Sequence, residues 1–232
     1  MKYVASLVTV SALPRLHRLP VKSLVLLTAL LAVLVVTPHS SASGGVGLGV
    51  RIFYLAVFCV AGYLLFHARY WIILYLCIAF FFLVFSLLAE ALPGRNTIDA
   101  ISSITGAALK AVLFAAVIRF SLYQPGAPRA DRIAAGICGY LLLGLFWVDL
   151  YEIAALALTD AFQTAAGIGP LAGTGETVYF SFVTLTTLGY GDIFPVNPSI
   201  RILTILEAIC GTLYLAVLIS SLVSRQEKQE TP

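Results

Sequence analysis

Charge is scarce in this chain. Of its 232 residues, 14 are Lys or Arg and 11 are Asp or Glu, so 11% are charged while 60% are hydrophobic. Soluble domains carry about 25% charged residues, and this composition excludes a water-facing surface over most of the chain. Histidine is limited to His17, His39 and His67, which fall in separate terminal or loop regions and assemble neither a zinc site nor a nucleophile and base pair. Cys59, Cys77, Cys138 and Cys210 lie inside apolar runs with no CxxC spacing, which excludes a metal site and reads as small packing residues. Also missing is any long polar stretch able to form a soluble regulatory domain, and no nucleic-acid partner or cofactor is expected.

What remains is apolar sequence, with a mean hydropathy of +1.00. A bilayer-crossing helix needs about 20 apolar residues, and such runs are read at roughly 21–38, 46–66, 71–89, 100–122, 133–157 and 199–223. The expected class is an all-α integral membrane protein with six transmembrane helices. A further apolar piece, near 176–188, is too short to cross, since about 12 helical residues rise only about 18 Å; it is expected to enter and return on one side. If both termini share a side, Lys2, Arg15, Arg18, Lys22, Arg69, Arg129, Arg132, Arg225 and Lys228 all fall on it. The positive-inside rule makes that side cytoplasmic, giving a multi-pass protein of the cell membrane with both termini inside. Glu90, Asp99, Asp160, Glu176 and Asp192 then make the outer face acidic, with Arg95 as its clear basic residue. The organisation expected is an N-terminal cytoplasmic or interfacial segment (1–20), a four-helix peripheral bundle (21–132), a domain of two spans flanking the short helix (133–224), and a short cytoplasmic tail (225–232).

The short element reads GTGETVYFSFVTLTT and is followed by LGYGDIFP. Gly175 and Glu176 suit a helix start, with the acid at the positive end of the dipole. The helix would end near Thr186 and Thr187, aiming its negative dipole end into the membrane, where a dehydrated cation is stabilised. Irregular backbone at that depth must be buried in protein or line water. Aiming successive carbonyls at one axis requires alternating backbone handedness, which Gly189 and Gly191 adopt at little steric cost.

The stretch TTLGYGD resembles the selectivity-filter signature of potassium channels. The resemblance extends through Tyr179 and Phe180 before it and Pro195 and Pro198 after it, and covers roughly the last 100 residues. It implies that Thr187, Leu188, Gly189 and Tyr190 present oxygens to dehydrated K⁺, the permeant ion, with Gly191 continuing the filter and Asp192 at the outer mouth. Tyr179, Phe180, Thr184 and Thr186 would support it from the pore helix. One pore loop supplies one of four filter strands, so the resemblance implies a homotetramer in a lipid bilayer. Two departures stand out. Leu188 occupies a position that is usually valine or isoleucine, and Val183 replaces a pore-helix glutamate found in some members, leaving Asp192 without that partner; Tyr179 is either a substitute hydrogen-bond donor for it or an interface aromatic that only anchors the helix. Gly211 matches the place where related inner helices bend, although a small residue for close packing fits equally well. Thr212, Leu215, Ile219 and Val223 share one helix face and are read as cavity-lining.

Six spans with the pore between the last two resemble voltage-gated channels in count and position. Their fourth span carries repeated arginines, but here only Lys110 and Arg119 stand at compatible spacing, with Leu113 and Ala116 between. At about 2.3 kcal/mol per charge per 100 mV, two charges give shallow voltage dependence at most. The second and third spans offer no deep acid to pair with them. Glu207, inside the last span, is a pH-sensor candidate or a structural carboxylate bonded to Thr184 or Thr186. Asp149 and Glu152 are read as interfacial and paired, with Arg201 a partner for them or for Glu207. The expected function is passive, K⁺-selective conduction without strong voltage gating. One alternative is a poorly selective cation channel. The other is an intramembrane aspartyl protease of GxGD type using Asp149 and Asp192, disfavoured because IFPVNPS after Asp192 breaks any helix.

Overall fold

The computed structural model describes residues 21–41, 48–65, 69–92, 94–123, 128–158, 160–171 and 173–230. The segment 1–20, including its expected interfacial role, lies outside the described residues. Seven helices follow in order: α1 (Val21–Ser41), α2 (Leu48–Leu65), α3 (Arg69–Ala91), α4 (Asn96–Tyr123), α5 (Arg129–Ala157), the short α6 (Thr174–Leu185) and α7 (Pro198–Glu230). Among the described residues, α3, α4, α5 and α7 are long and apolar enough to cross a membrane; the described apolar parts of α1 and α2, Ser23–Thr37 and Phe53–Gly62, are shorter. The chain is a multi-pass membrane protein built on helices.

Three corrections concern outline. The loop after α5 holds a three-stranded antiparallel sheet of order β2-β1-β3, from β1 (Phe162–Thr164), β2 (Gly167–Gly169) and β3 (Phe194–Pro195), where no strand was expected. Gly167, at φ 123°, opens β2 after the tight Thr164–Gly167 turn, and Phe162 pairs with both Gly169 and Pro195. Each strand has only two or three residues, too short for the alternation by which strands are read. The second correction is that α7 continues to Glu230, so residues 225–230 prolong the helix; Arg, Gln, Glu and Lys are good helix formers. The third concerns cysteine: Cys138 is buried and Cys59 half-buried, but Cys77 and Cys210 are exposed on their helices and are not packing residues within the chain.

The core is organised around α5. Buried residues make up 67% of the apolar window of α5 against 11% in α7, so α5 is enclosed by its own chain and α7 offers its surface to something else. Glycines on α5 seat neighbouring side chains: a Cβ at Gly136 would stand 2.6 Å from Leu218 Cδ1, and one at Gly144 would stand 2.7 Å from Phe182 Cζ. Tyr214 lies against Gly139 and donates its hydroxyl to the Gly136 carbonyl at 2.6 Å. Small residues let membrane helices approach closely, which replaces the water-driven packing of soluble cores. On the other side α5 meets α4 along its length, and α1 packs against both α5 and α6. One cluster of buried apolar residues joins α1 to α5, with Val178 of α6 reaching into it; a second, around Trp147, Tyr151, Phe162 and Phe180, ties α5, the sheet and α6 together.

Candidate ion-conduction site

The helix α6 starts after Gly173, whose φ of 103° turns the chain into the bundle, and Glu176 sits in its first turn. It buries Thr177, Val178, Phe180, Ser181 and Leu185, the i, i+3, i+4 face of a helix laid against α5. Phe180 packs edge-on to Tyr151 and Phe162 with ring centres 5.1 and 5.0 Å apart. Twelve residues give about 18 Å of helix, as the short apolar run implied.

Past Leu185 the helical hydrogen bonds tighten and end. The Thr187 amide donates to Thr184 O at 2.9 Å, and Val183 O accepts from the amides of Leu188 at 2.9 Å and Gly189 at 3.3 Å. The Thr186 hydroxyl folds back to Phe182 O at 2.6 Å, so it closes the helix instead of reaching forward. Then every second residue is left-handed: Thr187 at φ 57°, Gly189 at 58° and Gly191 at 79°. The glycines were legible in the sequence; Thr187 was not, because a β-branched residue avoids this region, at a cost of about 1–3 kcal/mol. It is the described non-glycine residue with positive φ. A Cβ at Gly189 or Gly191 would meet nothing within 4 Å, so handedness, and not crowding, calls for glycine there. Residues 186–192 are all exposed within one chain, Leu188 at 54% and Tyr190 at 67%.

Both ends of this segment are anchored. Tyr179 donates its hydroxyl to Asp192 Oδ2 at 2.7 Å. Downstream, β3 pairs with β1, and the Val196 amide donates to Ala161 O at 3.1 Å. Arg201 donates from Nε to Pro195 O at 3.0 Å; it therefore braces the segment and is not the expected partner of Asp149, Glu152 or Glu207.

Glu207 is fully buried. Its carboxyl group meets the Ser181 hydroxyl at 2.6 Å and the Tyr151 hydroxyl at 2.5 Å, not Thr184 or Thr186. Ser181 faces α7 because it lies on the buried stripe of α6, whereas Thr184 is half-buried and Thr186 is exposed. The carboxyl group thus pins α7 to α5 and α6 at once. Gly211 lies one turn further. A Cβ there would stand 2.6 Å from Leu185 O and 2.8 Å from Leu185 Cδ1, while α7 runs unbroken through it; close approach to the end of α6 is its role in this structure. Thr212, Leu215 and Ile219 are exposed on α7, and the side chain of Val223 lies outside the described residues.

Asp149 is paired, and Glu152 is half-buried. Asp149 is buried and takes the Lys110 ammonium with both oxygens at 2.6 Å, so the deep acid that pairs with α4 comes from α5. Arg119 is exposed. Asp149 and Asp192 are held by different groups, Lys110 and Tyr179, and form no dyad. No cluster of three or more His, Cys, Asp or Glu suited to a metal ion occurs among the described residues.

Residues 145–228 match the family described as "Ion channel". Over 87 residues the chain is 38% identical to the inward rectifier potassium channel Kirbac3.1 of Paramagnetospirillum magnetotacticum, covering 37% of this chain and 28% of that one. It is 33% identical over 81 residues to two pore potassium channel c of Oryza sativa subsp. japonica, covering 32% and 18%. Two-pore potassium channel 4 of Arabidopsis thaliana is 43% identical over 49 residues, covering 21% and 17%. Over that region the chain is similar to potassium channels. The family match takes in the end of α5, the sheet, α6, the 186–192 segment and most of α7. The chain spans less than a third of each relative's length, and α1 to α4 lie outside the family match. No solved structure matches the chain.

Proposed function

We propose that the chain is one subunit of a K⁺-selective channel of the cell membrane, with its conduction path lined by Thr187, Leu188, Gly189, Tyr190 and Gly191. The observation that carries this reading is the left-handed backbone at Thr187, Gly189 and Gly191, directly after a half-length helix. Alternating handedness turns successive carbonyls to one side of a strand, which is what replacing the hydration shell of an ion requires. The negative end of the α6 dipole favours a cation near Thr186 and Thr187.

One chain supplies one strand and leaves 186–192 exposed. Irregular backbone at membrane depth needs enclosure, and four copies around an axis would provide it, with Asp192 at the outer mouth and Thr212, Leu215 and Ile219 facing the inner cavity. The long exposed apolar surface of α7, including Ile202, Ile205 and Leu213, suits contact with neighbouring copies or lipid. In this assembly α1 to α5 and α7 are the six spans, α6 re-enters, both termini are cytoplasmic, and Lys110, already paired with Asp149, contributes little to voltage sensing.

The test is flux from liposomes holding the purified protein under a K⁺ gradient, with Na⁺ as the control ion and Ba²⁺ as blocker. The expected result is K⁺ flux that exceeds Na⁺ flux and is blocked by Ba²⁺. Gly189→Ala and Tyr190→Ala should abolish the K⁺ preference while leaving expression intact. An unchanged preference in either variant removes these residues from the conduction path.

A further inference from the structure

A cavity of about 690 Å³ lies outside the conduction segment, where the start of α4, the end of α5 and the start of α6 converge, with α3 and Tyr54 of α2 closing it. Its volume falls in the range of roughly 300–1,000 Å³ typical of small-molecule sites, which combine apolar walls with a few convergent polar groups. Here Phe82, Leu145, Val148 and Phe162 supply apolar wall.

Three carboxylates and one ammonium line this space: Asp99, Asp149, Glu152 and Lys110. Lys110 is committed to both oxygens of Asp149 at 2.6 Å. Glu152 accepts hydroxyl hydrogen bonds from Ser103 of α4 at 3.2 Å and from Thr174 of α6 at 3.0 Å, and it has no ion-pair partner among the described residues. A carboxylate within a low-dielectric wall is stabilised by a cation far more than by neutral donors. Asp99, in the first turn of α4, adds negative potential at the same mouth.

We infer that this cavity binds an amphiphilic organic amine, with the ammonium at Glu152 and the apolar body against the wall formed by α3 and α5. The charge balance excludes an anionic occupant, and Glu152 separates a cationic amphiphile from a neutral one or a plain acyl chain. Because Thr174 is the first residue of α6, an occupant touching Glu152 also touches the start of the helix that carries the conduction segment. Binding itself does not depend on the proposed conduction, so the two readings fail separately.

The experiment uses the full chain in lipid nanodiscs and a diazirine-bearing phenylpropylamine, with labelled peptides mapped by mass spectrometry. Labelling should saturate, map to α4, α5 and the start of α6, and be competed by phenylpropylamine at a tenfold or lower concentration than by phenylpropanol. Glu152→Gln should weaken the amine at least tenfold and bring amine and alcohol level. Ala155→Phe, which fills the lined space while keeping every carboxylate, should remove saturable labelling by both. Equal competition in the unmodified chain, an unchanged preference in Glu152→Gln, labelling confined to α7, or saturable labelling that persists in Ala155→Phe overturns the assignment.

Discussion

Replacing Gly211 with alanine sets two physical effects against each other, and the sign of the outcome separates two roles for this glycine. In a helix interior alanine is favoured over glycine by about 1 kcal/mol, so a glycine serving only as a flexible point should yield a more stable variant. In the structure, however, the new Cβ would lie 2.6 Å from Leu185 O and 2.8 Å from Leu185 Cδ1. The first of these atoms is backbone at the end of α6, so it cannot swing aside as a side chain does. That carbonyl also accepts the Tyr140 hydroxyl at 3.1 Å, which a shift would break. Overpacking of this kind costs about 1–3 kcal/mol, and with a backbone obstacle the upper part of that range applies. The net expectation is a destabilisation of about 1–2 kcal/mol after the helix-propensity gain. For a chain of this size it corresponds to a fall in Tm of roughly 2–8 °C, measured by thermal unfolding in detergent micelles. Moving Leu185 also moves Thr186 and Thr187, so K⁺ flux per assembled protein should drop together with stability. A Tm equal to or above that of the unmodified chain, with unchanged flux, would refute the close-packing argument and return Gly211 to a hinge role.

Two further substitutions test the buried polar contacts. Lys110→Met strands the Asp149 carboxylate and should cost about 3–5 kcal/mol, while Lys110→Met with Asp149→Leu should recover most of the loss, because an apolar pair of similar volume is often as stable as a buried ion pair; the two Tm values check this, and a double variant no better than the single one contradicts it. Glu207→Ala leaves the Ser181 and Tyr151 hydroxyls without their acceptor and opens space beside them. It should cost about 2–4 kcal/mol, whereas Glu207→Gln, which keeps one acceptor oxygen, should cost about 1 kcal/mol; equal melting temperatures for the two would show that the carboxyl group does not bind α7 to α5 and α6.

Some of the conduction site was legible before any contact was known, for local reasons. The half length of α6 follows from the short apolar run, and the left-handed residues at 189 and 191 follow from glycine in TLGYGD. Both depend on the chain's own stereochemistry. Thr187 was expected in the site, but its positive φ was not, since its side chain argues against that conformation. The Tyr179 bond to Asp192 was foreseeable as one of two roles for Tyr179, because both residues flank one short segment with Val183 leaving the aspartate a free oxygen.

The sequence by itself determined where the helices and the irregular segment lie, because length, apolar content and glycine placement are local properties that any packing must respect. Only the tertiary structure decided which polar groups meet: Lys110 with Asp149 across 39 positions, Tyr151 with Glu207 across 56, and Gly211 with the Leu185 carbonyl. A helix whose rotation can be read carries an apolar stripe and a polar face. These helices are apolar nearly all round, so no such face marks the side that turns inward. Their rotation is set by how glycines, aromatic rings and a few buried charges fit together in three dimensions, and that fit has no signature in a one-dimensional pattern.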